Sequence, residues 1–113
     1  ISVAKGGLPD IVIGDRFGAA ADGAILEMVE AAFHRAGLKT ARNAPFAGGY
    51  VTQHYGRPAR GQHVLQIEID RSLYMNETMI RPNGNFKAFE AVMRNVVAEI
   101  SEIGRSRLAL AAQ

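Results

Sequence analysis

The chain of 113 residues contains no cysteine. This absence excludes disulfide bonds, thiol nucleophiles and metal sites built from thiolates. No apolar run approaches the roughly 20 residues that a membrane-spanning helix requires, and no secretory signal peptide opens the chain. Together these absences favour a cytoplasmic protein without membrane contact.

The chain also lacks a strong charge of either sign. The formal net charge is +2, and the basic residues are scattered along the sequence. A nucleic-acid-binding protein normally concentrates its lysines and arginines in a patch, so nucleic acid is excluded as a partner. Hydrophobic residues make up 48% of the chain. This proportion and the length predict one folded domain with a modest core.

The first half of the chain alternates strand and helix patterns. Asp10 to Gly14 is apolar on both faces, as expected for a strand covered by helices on each side. A helix is predicted from the N-cap Asp22 to about Ala36, with Gly37 as its left-handed stop. Leu38 to Ala41 predicts a second short strand.

The second half contains one clear strand and one long helix. Gln62 to Asp70 is the strand, and the connection that follows it contains a predicted helical turn at 73–77. Tyr50 to Tyr55 fits either a short helix or an extended segment. The last helix is predicted from about Asn85 to Leu110, with Gly104 as a point where it ends or bends. Its predicted buried stripe consists of Phe86, Phe89, Met93, Val96, Val97, Ile100 and Ile103.

One strand places a carboxylate among apolar residues. Alternation puts Leu65, Ile67 and Ile69 on one face and Val64, Gln66 and Glu68 on the other. We expect the Glu68 carboxylate to be buried, where an unpaired charge is costly and persists when a partner or a reaction requires it. Glu68 is therefore either a catalytic group or half of a buried ion pair, for instance with Arg71.

Three blocks of the sequence, in the right order, resemble the N-formylglutamate amidohydrolase family. They are PDIVIGDRFG (9–18), NAPFAGGYVTQHYGRP (43–58) and LQIEIDRSLYMNE (65–77). The resemblance implies an α/β fold like that of the zinc carboxypeptidases, with part of a mixed, mainly parallel sheet flanked by helices. It also implies hydrolysis of N-formyl-L-glutamate to glutamate and formate, the last step of one route of histidine degradation. Glu68 stands where the family's general base would be.

The resemblance implies a zinc cofactor, but its ligands are expected outside this segment. The family's His-Ser-Gly and His-Ser-Met-Pro-like motifs have no counterpart in the chain. We therefore expect a single domain, residues 1–113, forming the C-terminal portion of a longer enzyme and inactive in isolation. An isolated segment of this kind would expose a sheet edge and an apolar face, which favours homo-oligomers. A metal site made of His54, His63 and Glu68 is disfavoured, because His63 lies on the opposite strand face from Glu68.

A dicarboxylate substrate requires cationic groups, and three arginines are candidates. Arg57 is the first choice, since Gly56 and Pro58 would hold its backbone in a defined turn and a guanidinium grips a carboxylate with two hydrogen bonds. Arg71 follows the strand that carries Glu68. It either binds the substrate directly or supports a residue that does. Arg16 follows the first strand at the sheet edge where ligands bind in open α/β folds. A surface salt bridge is the alternative for Arg16.

Two polar side chains complete the candidate substrate site. Gln66 shares a strand face with Glu68, so it either orients Glu68, binds the substrate, or is a satisfied core amide. Tyr50 either closes over the substrate or packs with its hydroxyl at the surface. Two other functions stay open: hydrolysis of a different N-acyl amino acid, and a non-catalytic binding domain in which Glu68 is only ion-paired.

Overall fold

Residues 8–111 are described by this computed structural model, and the side chains of its last helix are described up to Arg105. The α-helices and strands of this part are, in chain order, β1 (Ile11–Gly14), α1 (Gly23–Arg35), β2 (Thr40–Arg42), α2 (Tyr50–Tyr55), β3 (Gln66–Ile69), β4 (Met75–Asn76), β5 (Arg81–Pro82) and α3 (Phe86–Ala111). This is the α/β class that the sequence predicts.

The main sheet is mixed, with strand order β2-β1-β3. β1 runs parallel to β2 and antiparallel to β3, so that Gly14 lies opposite Gln66 and Ile11 lies opposite Ile69. All four residues of β1 are buried, as its apolar sequence predicts. Because of these directions, the carboxyl ends of β1 and β2 meet the amino end of β3 at one edge of the sheet.

The hydrophobic core lies between one face of this sheet and the two long helices. Ile11 and Ile13 of β1 are fully buried there against α1 and α3. The predicted alternation in β3 is confirmed, since Leu65, Ile67 and Ile69 pack against the same core. The residues of α1 and α3 that are buried in it are Leu26, Val29, Ala32, Phe33, Phe89 and Val96.

Helix α1 begins and ends as its sequence predicts. Asp22 precedes it in extended backbone, at φ −66° and ψ 146°. After its last residue, Gly37 adopts a left-handed φ of 82°. The Gly37 N–H donates to the carbonyl of His34, and the Leu38 N–H donates to that of Phe33. These two bonds form a Schellman motif, which satisfies carbonyls that the end of a helix would otherwise leave unpaired.

The prediction of a strand from Gln62 to Asp70 is correct only for its second half. β3 begins at Gln66, opposite Gly14, because the four-residue β1 offers no longer ladder. Before it, Gln62 instead forms an isolated bridge with Arg57 around a short 3₁₀ helix, Pro58–Arg60. The strand is thus limited by its partner rather than by its own composition.

The helical turn predicted at 73–77 is wrong. A 3₁₀ helix ends at Leu73, and Met75 and Asn76 then pair with Pro82 and Arg81 in a small antiparallel ribbon. The ribbon is a local hairpin, but its connection 77–80 reads ETMI and lacks the Asn-Gly or Asp-Gly signal by which a short hairpin is recognised in a sequence.

Helix α3 runs through Gly104 to Ala111, so the predicted end at Gly104 is wrong, and the alternative of a bend there stays a prediction. Val97 is also misassigned, because its side chain is 55% exposed whereas Val96 is 2% exposed. Neighbouring helical residues are about 100° apart around the axis, so the two valines cannot both face the core. Among the described helices, none combines the length and apolar character that a membrane crossing requires.

An open apolar groove lies beside the core, with a volume of about 790 Å³. Its apolar walls come from α1, the segment leading through β3, and α3, and they comprise Ile25, Val29, Leu65, Ile67, Ile100 and Ile103. The expected exposed apolar face stays a prediction, because the apolar residues that line this groove are buried or half-buried. The homo-oligomer stays a prediction.

Candidate active site

Glu68 lies on the face of β3 that points away from the helices. Its side chain is exposed, so the predicted burial of this carboxylate is wrong. The physical reason is that both long helices pack on the other face, and the described elements leave Glu68 uncovered. The alternative of an ion pair with Arg71 is not formed either, since Arg71 Nε lies 3.4 Å from Glu77 Oε1.

Gln66 connects Glu68 to the neighbouring glycine loop. Its Nε2 donates to Glu68 Oε1 at 3.1 Å. Its Oε1 accepts from the Gly49 N–H at 3.0 Å. With both ends of the amide bonded, the rotamer of Gln66 and the orientation of the Glu68 carboxylate are constrained together. Of the three roles considered for Gln66, this geometry matches the one in which it orients Glu68.

The same glycine loop receives Arg16 from the end of β1. Arg16 Nη1 donates to the Gly48 carbonyl at 3.1 Å, and the Arg16 N–H donates to the Ala47 carbonyl at 2.8 Å. The loop also lies directly on Gly14, where an added Cβ would come within 2.6 Å of the Ala47 carbonyl carbon. Among the described residues Arg16 pairs with no carboxylate, so the salt bridge considered as its alternative role is not formed there.

Left-handed backbone is concentrated at this edge of the sheet. Arg16 and Phe17 both have φ 56°, Asn43 has φ 61° and Gly48 has φ 116°. This conformation costs about 1–2 kcal/mol for a residue such as Arg or Phe, whereas Gly and Asn adopt it readily. Strained residues of this kind persist where the surroundings over-determine them, and they cluster at functional sites.

A reciprocal pair of polar side chains holds this edge together. Asp15 is 4% exposed, and its Oδ1 accepts from Asn43 Nδ2 at 2.8 Å. In return, Asn43 Oδ1 accepts from the Asp15 N–H at 3.0 Å and from the Phe17 N–H at 3.4 Å. Sequence reasoning missed this pair. Its signal was available, because both residues follow adjacent strands whose carboxyl ends meet at the ligand-binding edge.

Tyr50 begins α2 and Arg57 follows the end of α2, and both line a cleft of about 350 Å³ together with Gln53 and His54. Tyr50 is 70% exposed, and its ring stacks on His54 at 5.0 Å. Arg57 Nη1 donates to the carbonyls of Gln53 and Gly56, at the end of the helix. The guanidinium that was the first choice for the substrate thus also holds the end of α2. Helix α2 starts directly after Gly49, which places this cleft next to the loop that binds Gln66.

Arg71 is not brought to this group. It follows β3 beyond Ile69, which lies opposite the first residue of β1, whereas Gln66 lies opposite the last. Arg71 therefore stands at the other edge of the sheet.

The described residues do not form a zinc site. No group of three or more His, Asp or Glu side chains within them could hold a metal ion. His63 Nδ1 accepts from the Asp22 N–H, and His54 lies between Tyr50 and Tyr55. Of the three residues considered for a metal site in this segment, the two histidines thus have these other contacts, and Glu68 is bonded to Gln66.

Comparison with known proteins agrees with the family resemblance. The sequence profile of the family described as N-formylglutamate amidohydrolase matches residues 2–75. An N-formylglutamate deformylase of Pseudomonas aeruginosa is 34% identical over 107 residues, which cover 92% of this chain and 40% of that protein. The N-formylglutamate deformylase of Pseudomonas putida is 39% identical over 74 residues, or 65% of this chain and 28% of that protein.

A solved structure has the same fold. The crystal structure of N-formylglutamate amidohydrolase from Ralstonia eutropha JMP134 superposes with a TM-score of 0.75 and 33% identity, covering 88% of this chain and 34% of that one. The chain thus spans well under half the length of the relatives that it matches.

Proposed function

Because this chain belongs to the N-formylglutamate amidohydrolase family, we propose that the protein hydrolyses the formamide bond of N-formyl-L-glutamate to give glutamate and formate. The observation that supports this most is the placement of Glu68. An oriented carboxylate lies on the open face of the sheet, joined through Gln66 to the loop that also binds Arg16.

Glu68 is the proposed general base. A base needs reach to the attacking water and a defined orientation, and burial is not required for either. The exposed carboxylate takes a proton from water as its oxygen bonds to the formyl carbon. It then passes the proton to the amide nitrogen as the C–N bond breaks, so formate and the free amino group of glutamate are released. Gln66 keeps the carboxylate oriented through both transfers.

Arg16 and Arg57 are the proposed partners of the two substrate carboxylates. Arg16 is half-buried, and its Nη1 is anchored on the loop that binds Gln66. Arg57 lines the cleft on α2. A guanidinium keeps further N–H groups for a carboxylate when one nitrogen is bonded to a carbonyl. Arg16, bonded to the loop, and Arg57, at the cleft beside the helix that follows the loop, would supply one cation for each carboxylate of a dicarboxylate.

Tyr50 is the proposed donor that closes over the bound substrate. It shares its cleft with Arg57, and its exposed ring leaves the hydroxyl free to reach a ligand there. The dependence on zinc stays a prediction from the family resemblance, because the described residues offer no set of ligands.

The test is formate release by the purified complete protein. We expect the highest kcat/KM for N-formyl-L-glutamate, with lower values for N-formyl-L-aspartate and N-acetyl-L-glutamate. One methylene is worth only about 1–3 kcal/mol, so the aspartate compound tests the arginine spacing rather than the chemistry. A higher kcat/KM for another N-acyl amino acid would reassign the substrate. If the folded protein with zinc added releases no formate above the blank, the alternative of a non-catalytic binding domain applies instead.

A further inference from the structure

Asn43 lies where the end of β2 meets the turn that follows β1. Its N–H donates to the Ile13 carbonyl at 3.0 Å, which extends the pairing of β1 and β2 by one bond. Its side chain then turns towards the residues that follow β1. Asn43 thus contacts the turn that carries Arg16, although it touches neither Arg16's guanidinium nor Glu68 in any hydrogen bond of the described residues.

The side chain of Asn43 bonds both to a carboxylate and to backbone N–H groups of that turn. Its Nδ2 donates to the buried Asp15 carboxylate at 2.8 Å, and its Oδ1 accepts from the backbone N–H groups of Asp15 and Phe17. Arg16 lies between these two residues in the chain. The amide therefore holds the backbone on both sides of Arg16, while the Arg16 N–H itself bonds to Ala47.

This arrangement explains why Arg16 and Phe17 adopt left-handed backbone. Both have φ 56°, which is unfavourable for side chains of their size. The hydrogen bonds of Asn43 on either side of Arg16 favour this conformation over an extended one. Asn43 itself, at φ 61°, is of a residue type that adopts left-handed backbone readily.

We infer that Asn43 is a positioning residue that fixes the backbone of Arg16 and thereby aims its guanidinium at one carboxylate of the substrate. The inference rests on the proposed function for the identity of the ligand. The placement of Arg16 itself rests only on the geometry. The consequence is that the loss of the Asn43 side chain should impair the same recognition as the loss of the Arg16 charge.

The experiment uses the complete protein and three substrates. These are N-formyl-L-glutamate and its two analogues in which either the α-carboxylate or the side-chain carboxylate is replaced by a carboxamide. Three variants are compared with the wild type. Arg16→Met removes the charge, and Asn43→Gly removes the amide but keeps the positive φ accessible. Asn83→Ala is the matched control, because it removes a half-buried amide that donates to the Ser72 and Met75 carbonyls, away from the site.

We expect Arg16→Met to abolish the preference for one of the two carboxylates, seen as a rise in KM for substrates that carry it. Asn43→Gly should weaken the preference for the same carboxylate by about tenfold or more, because small misplacements of a binding group have effects of that size. The preference for the other carboxylate should be kept. Asn83→Ala should keep both preferences, even where it lowers stability.

Amide hydrogen exchange gives a second readout that does not depend on catalysis. The Arg16 amide should exchange about tenfold faster or more in Asn43→Gly than in the wild type or in Asn83→Ala. In the wild type, local opening of the turn must break the hydrogen bonds of Asn43, and in Asn43→Gly these bonds are absent. If the wild type releases no formate, the proposed function fails, and this exchange rate alone decides the positioning role.

The inference is overturned if Asn43→Gly lowers kcat/KM equally for all three substrates, or if Arg16 exchange is unchanged. Should Asn43→Gly fail to fold, Asn43→Ser replaces it. The shorter serine side chain cannot make the bonds of both Asn43 Oδ1 and Asn43 Nδ2. Asn43→Ser should show the same selective loss, and an unchanged carboxylate preference in it would equally overturn the role.

Discussion

Gln66 donates a hydrogen bond from Nε2 to Oε1 of Glu68 at 3.1 Å, across two positions of the same strand face. Its other amide atom accepts from the Gly49 N–H. The glycine loop and the proposed general base are therefore linked by a single side chain. A change in either the loop or the carboxylate should be transmitted through Gln66.

Two substitutions of Gln66 test separately the orientation of the Glu68 carboxylate and the effect of a charge beside it. Gln66→Leu removes both hydrogen bonds and should lower kcat by about 10–100-fold, because the carboxylate loses its fixed orientation. Gln66→Glu keeps an acceptor for Gly49 but places a second carboxylate beside Glu68. Since two adjacent carboxylates are not readily both ionised, the acidic limb of the pH–rate profile should move to higher pH. A pH–rate profile of Gln66→Glu that matches that of the wild type would contradict the hydrogen bond between Gln66 and Glu68. The control is Gln62→Glu, outside β3.

Arg57→Met should raise KM for N-formyl-L-glutamate by about tenfold or more, because a charge-assisted contact to a carboxylate is lost. The exposed Arg81 of β5 lies in the separate two-stranded ribbon, so Arg81→Met is the matched control. Steady-state kinetics at constant ionic strength checks this. An equal rise in KM in both variants would point to a general charge effect rather than to the cleft on α2.

Gly14→Ala tests how closely the glycine loop lies on β1. The added Cβ would meet the Ala47 carbonyl carbon at 2.6 Å and the Gly48 nitrogen at 2.8 Å, so the loop must shift. We expect a loss of about 1–3 kcal/mol in the free energy of unfolding, together with lower activity. Denaturant unfolding measures the first. Gly23→Ala, with no atom within 4 Å of its Cβ, should be neutral or stabilising.

The sequence predicts well what depends on local patterns. The limits of α1, the strand at Ile11–Gly14 and the two faces of β3 all follow from residue type and periodicity. It predicts poorly what depends on distant partners. The short length of β3, for example, is set by β1. The exposure of Glu68 depends on which sheet face the helices cover, and alternation in one strand does not encode that.

The candidate site divides in the same way. The sequence singles out Arg16, Gln66, Glu68, Tyr50 and Arg57. In the structure they lie around the glycine loop or at the cleft beside the helix that follows it. Arg71 is separated from them because β3 runs antiparallel to β1, a direction that its sequence does not reveal. Sequence reasoning missed the Asp15–Asn43 pair, which joins residues 28 positions apart, although each of the two follows one of two adjacent strands.

Glu30 and Arg42 join α1 to the end of β2 through two hydrogen bonds of 2.7 Å. The bonds from the Arg42 guanidinium lower the pKa of Glu30 from its usual value of 4.5. Because the pKa is lower in the folded state, this contribution to stability is present above pH 4.5 and is lost as the pH falls through the folded-state pKa.

Glu30→Gln should therefore lower the free energy of unfolding near pH 7 by up to about 1 kcal/mol, since water screens the half-exposed arginine. The difference from the wild type should shrink below pH 4.5. Denaturant unfolding at several pH values checks this. A difference that is constant with pH would show that the ion pair is not its cause.

The most direct test of the account is formate release by Glu68→Gln in the complete protein. This change keeps the size of the side chain and removes its capacity to take a proton from water. We predict that kcat falls by about 10²–10⁴-fold, the usual contribution of a general base, while the metal content and the melting temperature are unchanged. Glu90→Gln, on the exposed side of α3, should keep wild-type activity. Wild-type activity in Glu68→Gln would contradict the assignment of Glu68 as the general base.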